Sequence, residues 1–563
     1  MAEIYEYDKE ESPYWSNMFG QVPVQYDDTE EYEYVEYLES NSQGAKPALT
    51  QSRFVLYNRD IDPYLLFHKG FIQIRGYIRK AALAENAEVY YDVAEPEGRI
   101  APCNLFNHAI WDRAELRLEG SLIQKSDNPR LIALVKHLTK YTPENEKTQG
   151  TLSFFYKDTG YGDAEYEINT ASIKLKGKVD GTGYLKFTAD ENTEFNLLDP
   201  TKGSLKLDIG IFENKDFNKG FSDRMERCIT RGFAEKRVFE TYLPLSDLFS
   251  FYENYNAPFR GLKHEITLEK NQRPDTYLHR TEDTDDGIFV FEKVSMWIPR
   301  IKPSYDKLLD LDEKFVTKAQ SIMSWSDYRY EYSSNISNTS LSNQMRVGSL
   351  AGRPTYCYIF FQLDAVINGD QESNKNIFST LTSIKKIGPN PGEGEPDERP
   401  EKAVDGLAQI EMRINSHALP LQTFNLDFSD NNEDYLRAYL YLLESQGKML
   451  SRDSDFSNPG MVVSYEEFKR LYPLFVFDFT RIEKRMYENI SASELEVRWR
   501  LHGDAPGDYR CHVIIEHERI ATVQGNENKL LITLWVNYYF CNSTKIIINP
   551  STLHQNSFET SKL

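Results

Sequence analysis

Residues 71–80 read FIQIRGYIRK, and this stretch has the pattern of a β-strand with one buried face. Ile72, Ile74 and Ile78 are separated by two and four residues, with polar or charged residues among them. Successive side chains of a strand point to opposite faces, so this spacing places the three isoleucines on the same face. The stretch predicts a strand in a sheet that has one buried side.

Similar segments follow this strand along the chain and form two groups. The group between Arg53 and Ser304 comprises AELRLEG (114–120), SIKLKGKV (172–179), LKLDIGIF (205–212), KHEITLEK (263–270) and GIFVFEKVSMWIP (287–299). The second group comprises MSWSDYRYEYS (323–333), TYCYIFFQLDAVI (355–367), LAQIEMRIN (407–415), ELEVRWRL (494–501), YRCHVIIEHERIATV (509–523) and KLLITLWVNYYF (529–540). Each group ends on an aromatic strand, so the two halves share a plan without a close sequence repeat.

Helical patterns are few and short in comparison. They are PRLIALVKHLTKY (129–141), LSDLFSFYENY (245–255) with Ser246 as its predicted cap, KPSYDKLLDLDEKFVTKAQ (302–320), EDYLRAYLYLLESQGK (433–448) and the start of VSYEEFKRLYPLFVFDF (463–479). In the last of these, Ser464 and Glu467 have the spacing of a capping box. Strands separated by long polar loops favour β-sandwiches over a sheet of alternating strands and helices.

Size and composition agree with two large β-rich domains. The chain has 563 residues and a mass of 65.5 kDa, more than one hydrophobic core usually supports. Its 36 Tyr and 32 Phe favour strands. The formal net charge of −22 argues against a protein that wraps DNA over its whole surface, because phosphate binding needs basic faces. Five well-separated cysteines, and no apolar run long enough to span a membrane, predict reduced thiols and an intracellular product.

No pattern of catalytic or metal-binding residues is found. The sequence has no phosphate-binding glycine loop and no nucleophile elbow. In HVIIEH, His512 and Glu516 share one face of a predicted strand while His517 points to the other, so the three cannot close on one ion. The RTEDTDDG stretch (280–287) lacks the terminal glutamate of a calcium loop. We therefore predict no catalytic residue, no metal site and no cofactor.

The order of several segments carries a family resemblance. They are APCNLFNHAIWDRAELRLEGSLI (101–123), TYLPLSDLFSFYENYNAPFRGLKHEITLEKN (241–271), VSMWIPRIKPS (294–304), GRPTYCYIFFQLDAVINGDQESNKNIF (352–378), FVFDFTR (475–481) and ELEVRWRLHGDAPGDYRCHVIIEHERIATV (494–523). From about residue 51 to 545, the chain resembles the double jelly-roll major capsid proteins of the adenovirus, tectivirus and virophage lineage. It is most similar to those of Polinton/Maverick elements and of adintovirus-like invertebrate viruses.

The resemblance implies an all-β fold of two jelly-roll β-sandwiches in tandem with short helical insertions. The expected division is an acidic, Tyr-rich N-terminal arm (1–50), a first jelly roll (51–304), a helical linker (305–322), a second jelly roll (323–545) and a C-terminal tail (546–563).

The function that the resemblance implies is structural. The chain is expected to form pseudo-hexagonal homotrimeric capsomers of an icosahedral shell that encloses a DNA genome. Its expected location is the virion capsid, assembled inside the host cell. The implied partners are further copies of itself, penton and minor capsid proteins, and genome DNA that is enclosed without sequence-specific binding. The alternative is a soluble lectin-like or scaffolding β protein, and a hydrolase with a pair of carboxylates is a third reading.

Residues 1–40 differ from the rest of the chain. They hold twelve carboxylates, one Lys and seven Tyr, and acidic residues alternate with aromatic ones. We expect this arm to dock on a partner surface, with aromatic side chains as anchors and carboxylates at the rim. The candidate contacts between subunits are Tyr5, Tyr7, Trp15, Phe19, Tyr32, Tyr34 and Tyr37. Deleting residues 2–40 is then expected to leave the trimer folded and to weaken shell assembly.

Overall fold

The structure is a computed structural model of the chain. It describes residues 29–39, 50–56, 64–80, 90, 100–158, 166–170, 173–179, 185–189, 193–195, 219–229, 235–256, 258–260, 262–280, 287–305, 307–309, 320–348, 354–364, 367, 406–414, 417–428, 434–449, 460–480, 495–505, 507–526 and 529–535.

Strands dominate the described residues and form two groups, which we call the first and the second lobe. The strands of the first lobe are β1 (Thr29–Leu38), β2 (Gln51–Leu56), β3 (Tyr64–Leu65), β4 (Phe71–Lys80), β5 (Ile100–Pro102), β6 (Trp111–Leu118), β7 (Ser121–Asp127), β8 (Tyr166–Thr170), β9 (Ile173–Val179), β10 (Leu185–Ala189), β11 (Thr193–Phe195), β12 (Phe239–Pro244), β13 (His264–Lys270), β14 (Leu278–Arg280) and β15 (Gly287–Pro303). The strands of the second lobe are β16 (Gln320–Tyr332), β17 (Ser342–Val347), β18 (Pro354–Leu363), β19 (Leu407–Ile414), β20 (His417–Asn425), β21 (Phe475–Asp478), β22 (Leu495–Leu501), β23 (Tyr509–Asn526) and β24 (Lys529–Trp535).

The helices are short and lie in the connections between strands. They are α1 (Phe106–Ala109), α2 (Pro129–Thr139), α3 (Pro143–Asn145), α4 (Lys219–Cys228), α5 (Leu245–Leu248), α6 (Ser250–Asn254), α7 (Leu436–Ser445) and α8 (Tyr465–Arg470). Single 3₁₀ turns occur at Phe67–Lys69 and Pro274–Thr276, and a π turn occurs at Glu146–Gly150.

The main strands of each lobe follow the connectivity of a jelly roll. In the first lobe the eight main strands, in chain order, are β1, β2, β4, β6, β7, β12, β13 and β15. One sheet has the order β1-β15-β4-β12 and the other β2-β13-β6-β7, which is 1-8-3-6 and 2-7-4-5. In the second lobe, strands β16 to β23 form the sheets β16-β23-β18-β21 and β17-β22-β19-β20, again 1-8-3-6 and 2-7-4-5. The predicted fold of two tandem jelly rolls is therefore confirmed.

The alternating pattern at residues 71–80 forms strand β4, as predicted. Ile72 and Ile74 are fully buried, while Arg75 is exposed on the opposite face. The pattern is interrupted at Gly76, where an added Cβ atom would collide with the ring of Phe289 and the backbone of β15. Glycine is required there because the ring occupies the space of a side chain.

The end of the predicted arm is part of the first jelly roll. Residues Thr29–Leu38 form strand β1, which pairs antiparallel with β15 from Thr29 opposite Pro303 to Leu38 opposite Ser295. The side chain of Tyr37 packs against the core of the first lobe. The expectation that residues 1–40 are separate from the sandwich is wrong for this segment, because β1 is the first of the eight strands. The predicted end of the helical linker at residue 322 is also wrong, because β16 begins at Gln320. The remaining domain boundaries stay predictions.

Most of the predicted helices are confirmed. Helix α2 and helix α7 lie within their predicted ranges, and Ser464 and Glu467 form the expected capping box at α8. The predicted cap Ser246 is wrong, because the helix begins at Leu245 and Pro244 occupies the cap position. The predicted strand at 205–212, and the end of the predicted strand at 529–540, lie outside the described residues.

The length of an N-terminal deletion tests the assignment of β1. A chain without residues 2–40 lacks this strand, whereas a chain without residues 2–28 retains it. We expect the longer deletion to lower the free energy of unfolding by at least about 2 kcal/mol relative to the shorter one, the scale of exposing one large side chain. Chemical denaturation of the two proteins measures the difference. Equal stability would show that β1 is dispensable for the first jelly roll.

Candidate functional site

The junction between the two lobes contains the main set of buried polar groups, and helix α2 is at its centre. The helix begins at Pro129, and the side chain of Asn128 accepts a hydrogen bond from the amide of Leu131 (3.4 Å). Proline suits the first position of a helix, where its missing N–H is not needed. Every residue of α2 is buried, although a helix on the surface of a domain normally has one exposed face.

The second lobe covers the other side of α2. Apolar residues of the helix, from Leu131 to Leu138, belong to the same hydrophobic cluster as the core of the second lobe. Trp325 of strand β16 belongs in turn to the cluster of the first lobe and contacts Phe251 of α6 edge to face, with ring centroids 5.1 Å apart. Each lobe therefore contributes side chains to the core of the other.

Lys140 follows α2 directly and makes the central polar contact of the junction. Its Nζ atom donates to both carboxylate oxygens of Glu516 in β23, at 2.9 and 3.0 Å, and to the hydroxyl of Tyr328 in β16. Tyr358 of β18 donates its hydroxyl to Glu516 Oε2 (3.2 Å). Burial raises the pKa of both tyrosines well above the ordinary value, so their hydroxyls stay protonated and can donate.

A second group of charges lies on the first-lobe side of the helix. Lys136 is buried, and its Nζ atom is 2.7 Å from Glu253 Oε2. Burial lowers the pKa of Lys136, but the carboxylates of Glu253 and Asp247 outweigh burial and raise the pKa above its usual value. Asp247 also binds His137 Nε2 (2.9 Å) and accepts a hydrogen bond from Tyr141. Burial raises the pKa of Asp247, but His137 and Lys136 lower it far below the ordinary range.

Three further contacts join the lobes. Arg519 of β23 donates from Nη1 to the carbonyl oxygen of Ile123 (3.0 Å) and to Asp327 Oδ2 (2.9 Å).

Elsewhere in the junction, Tyr472 donates its hydroxyl to the carbonyl oxygen of Asp158 (2.8 Å), whose side chain pairs with the buried Arg224. Lys157 Nζ also contacts Glu467, which belongs to the capping box of α8. A series of directional bonds therefore fixes the rotation of one lobe against the other.

The HVIIEH stretch serves this packing. His512 stacks on Phe360 with ring centroids 5.1 Å apart, and its Nδ1 atom is 2.8 Å from the hydroxyl of Tyr330. Glu516 forms an ion pair with Lys140, and His517 Nε2 lies 4.0 Å from Asp327 Oδ2. No group of three or more potential metal ligands is found among the described residues. The RTEDTDDG stretch lies largely outside them.

The predicted contact residues of the arm are only partly described. Tyr32 and Tyr34 are exposed on the outer face of β1, and Tyr37 is partly buried on its inner face. Tyr5, Tyr7, Trp15 and Phe19 lie outside the described residues. Their role as contacts between subunits stays a prediction.

Sequence reasoning missed the junction. Lys136 and Lys140 are four residues apart, a spacing that in an isolated helix indicates a solvated face. No signal in PRLIALVKHLTKY distinguishes a lysine in water from one that meets a carboxylate of a distant strand. The apolar residues on every side of α2 were the available indication that the helix is covered all round.

Other features of the chain are less informative. Cys103, Cys228, Cys357 and Cys511 are free and buried, and Cys541 lies outside the described residues. None of the helices in the described part of the chain is long and apolar enough to cross a membrane.

Comparison with known proteins supports the fold. No family model and no curated protein matches the chain. Among solved structures, the chain is similar to one from the Sputnik virophage determined by cryo-electron microscopy, with a TM-score of 0.51, 9% identity, and coverage of 95% of this chain and 94% of that one.

Two further matches have lower TM-scores. The mavirus major capsid protein gives 0.43 at 10% identity, with all of both chains covered. The Faustovirus major capsid protein gives 0.45 at 8% identity, with coverage of 87% of this chain and 90% of that one. With the strand order of its two lobes, the chain is a double jelly-roll protein.

Replacing Lys140 tests the junction. Lys140→Met removes the cation beside a carboxylate that is almost fully buried, and we expect a loss of about 3 kcal/mol in unfolding free energy. Lys140→Met combined with Glu516→Gln should lose less than the sum of the two single changes, because the pair acts as a unit. Denaturant titration of the four proteins of this cycle gives the coupling.

A matched control is the exposed pair of Lys147 and Glu144, whose side chains are 69% and 78% exposed. Lys147→Met should change the unfolding free energy by less than about 0.5 kcal/mol. Equal losses for Lys140→Met and Lys147→Met would contradict the role of Lys140.

Buried histidines predict a loss of stability in acid. Burial lowers the pKa values of His108, His264 and His512 from 6.5 to about 3. Between pH 3 and pH 6.5, the unfolded chain therefore binds more protons than the folded chain. The free energy of unfolding falls as the pH drops below about 6.5, by up to ~1.4 kcal/mol per pH unit for each histidine. We expect His512→Gln, which cannot be protonated, to show a shallower decline in melting temperature between pH 7 and pH 5. Identical slopes would contradict the prediction.

Proposed function

We propose that the chain is the main structural subunit of a virus-like capsid. One observation carries the proposal: a single chain holds two jelly rolls of identical strand order, joined by a buried polar junction into one block. Such a block has no need of a catalytic centre. It presents side-chain surfaces for assembly, because the closed sandwiches leave few free strand edges.

Two similar lobes in each subunit suit a trimer. Three copies around a threefold axis give six lobes, and a block of six lobes can tile a shell with six neighbours. We infer that the capsomer is a homotrimer of this kind, located in the virion capsid and bound by minor capsid proteins at its edges and by penton proteins at the vertices.

The enclosed genome is proposed to be DNA without sequence-specific contacts. The net charge of −22 disfavours a subunit that neutralises many phosphates, so confinement by the shell is the physically consistent mode of packaging. The lectin-like and hydrolase alternatives have no specific feature in their favour among the described residues.

Measurement of native mass tests the proposed function. Light scattering of the purified full-length protein should give a mass of three times 65.5 kDa. Transfer of the sample to conditions that favour assembly should give larger closed particles. A stable monomer at micromolar concentration would contradict the proposal. A glycan array with a positive result for such a monomer would favour the lectin-like alternative.

A further inference from the structure

Arg130, the second residue of helix α2, is a buried cation with unused hydrogen-bond donors. Only 8% of the residue is exposed. Its Nη1 atom donates to the carbonyl oxygen of Thr276 (2.7 Å). Its Nε and Nη2 atoms are buried, and within the described part of the chain they have no hydrogen-bond partner. An arginine is rarely buried to this extent unless another group pairs with its charge.

His279 of strand β14 is a second buried residue with unused polar atoms. The residue is 2% exposed, and among the described residues neither of its ring nitrogens has a hydrogen-bond partner. Burial lowers the pKa of His279 well below its usual value, and the charges of Arg130 and Arg224 lower it further. The ring is therefore neutral and carries one N–H group that needs an acceptor.

The ribbon of strands β5 and β14 brings these groups to one place. The strands pair antiparallel with His279 opposite Ala101, and the amide of Cys103 donates to the carbonyl oxygen of Tyr277 (2.9 Å). Residues two apart in a strand share a face, so the Cys103 thiol and the His279 ring lie on the same face of the ribbon. Burial raises the pKa of this thiol and the charge of Arg130 lowers it, so Arg130 acts on both side chains of that face.

Arg224 of helix α4 is another buried cation of this region, but each of its three nitrogens already donates a hydrogen bond. The acceptors are the carbonyl oxygens of Pro102 (2.8 Å) and Tyr156 (2.7 Å) and the carboxylate of Asp158 (2.8 Å). Arg224 and Asp158 form a buried ion pair, so their charges cancel. They are the charged groups that act on Arg130 among the described residues. The positive charge of Arg130 is therefore not balanced by them.

This unbalanced charge indicates what kind of group completes the site. A water molecule can accept hydrogen bonds, but it cannot neutralise a guanidinium that burial has removed from its solvent. Arginine does not lose its proton in proteins, so the charge persists. The Nε and Nη2 atoms form one edge of the guanidinium, which presents two parallel N–H groups to an anion. One monovalent anion balances the charge, whereas a divalent anion would leave a buried negative charge.

We propose that the first lobe binds one small monovalent anion of the chloride class between the guanidinium edge of Arg130 and the ring of His279. The anion accepts hydrogen bonds from Nε and Nη2 of Arg130 and from the protonated ring nitrogen of His279. It holds the N-terminal end of α2 on the β5–β14 ribbon, and α2 is the helix that leads to Lys140 at the junction. The site is independent of the proposed capsid function.

The dependence of stability on chloride tests the proposal. The full-length protein is unfolded with urea at constant ionic strength, while chloride replaces gluconate, an anion too large for a closed site. An anion that binds only the folded chain lowers the unfolding equilibrium constant about tenfold for each tenfold rise in its concentration above Kd. We expect this dependence for chloride and also for bromide. An unfolding equilibrium constant that is the same in chloride and gluconate would overturn the proposal.

Arg130→Gln should abolish the chloride dependence, because it removes the charge that the anion balances. The matched control is Arg113→Gln, which removes an exposed arginine of the same lobe that already pairs with Asp127 and Glu269. The control should keep the full dependence, and its loss in both variants would show a general salt effect and contradict the site.

His279→Phe provides a second variant if Arg130→Gln does not fold. Phenylalanine keeps a ring at this position and removes the N–H donor. We expect this variant to need a higher chloride concentration than the natural chain for the same stabilisation. An unchanged chloride dependence would contradict the role of His279 in binding the anion.

Bromide locates the anion in the natural chain, without any substitution. Crystals of the full-length protein grown in bromide should show an anomalous-scattering peak in contact with Nη2 of Arg130 and a ring nitrogen of His279. Peaks only on the protein surface, with a water molecule or a carboxylate of the chain bound to Arg130, would overturn the proposal.

Discussion

The packing of helix α2 against the 1-8-3-6 sheet of the second lobe is the contact on which the rest of the structure depends. Apolar residues of α2 complete the core of the second lobe, and Lys140 neutralises Glu516 within its sheet. If the lobes separated, α2 would expose its apolar outer side to water and Glu516 would lose its cation. The two jelly rolls therefore behave as one block and not as two domains on a linker.

Apolar and charged contacts have different roles in this junction. The free energy of association comes from apolar burial, because a buried ion pair barely recovers the cost of removing its charges from water. The charged and polar groups supply direction: Lys140, Arg519 and Tyr472 each donate to particular acceptors across the junction. We infer that this network sets the angle between the lobes, which the proposed capsomer of six lobes would have to repeat.

Local sequence patterns predicted the elements better than the contacts between them. Strand β4 and the capping box of Ser464 and Glu467 were predictable because the signals lie within ten residues. Strand β1 was assigned to an arm because TEEYEYVEYL alternates acidic and aromatic residues, and its inner face offers only Val35 and Tyr37 to the core. A strand with so little apolar character depends on its neighbour, and β15 is distant in sequence.

The junction was less predictable than the strands for the same reason. The partners Lys140 and Glu516 are 376 residues apart, and nothing in either local sequence indicates the other. Only the packing of the two jelly rolls against each other brings them together.

We propose that the two jelly rolls, held together by this junction, form one building block of a shell. Single-particle cryo-electron microscopy of the purified full-length protein, reconstructed without imposed symmetry, tests it most directly. If the proposed capsomer is correct, we expect a ring of six similar lobes with threefold symmetry. Separate two-lobed particles, or lobes that vary in their relative orientation, would contradict it.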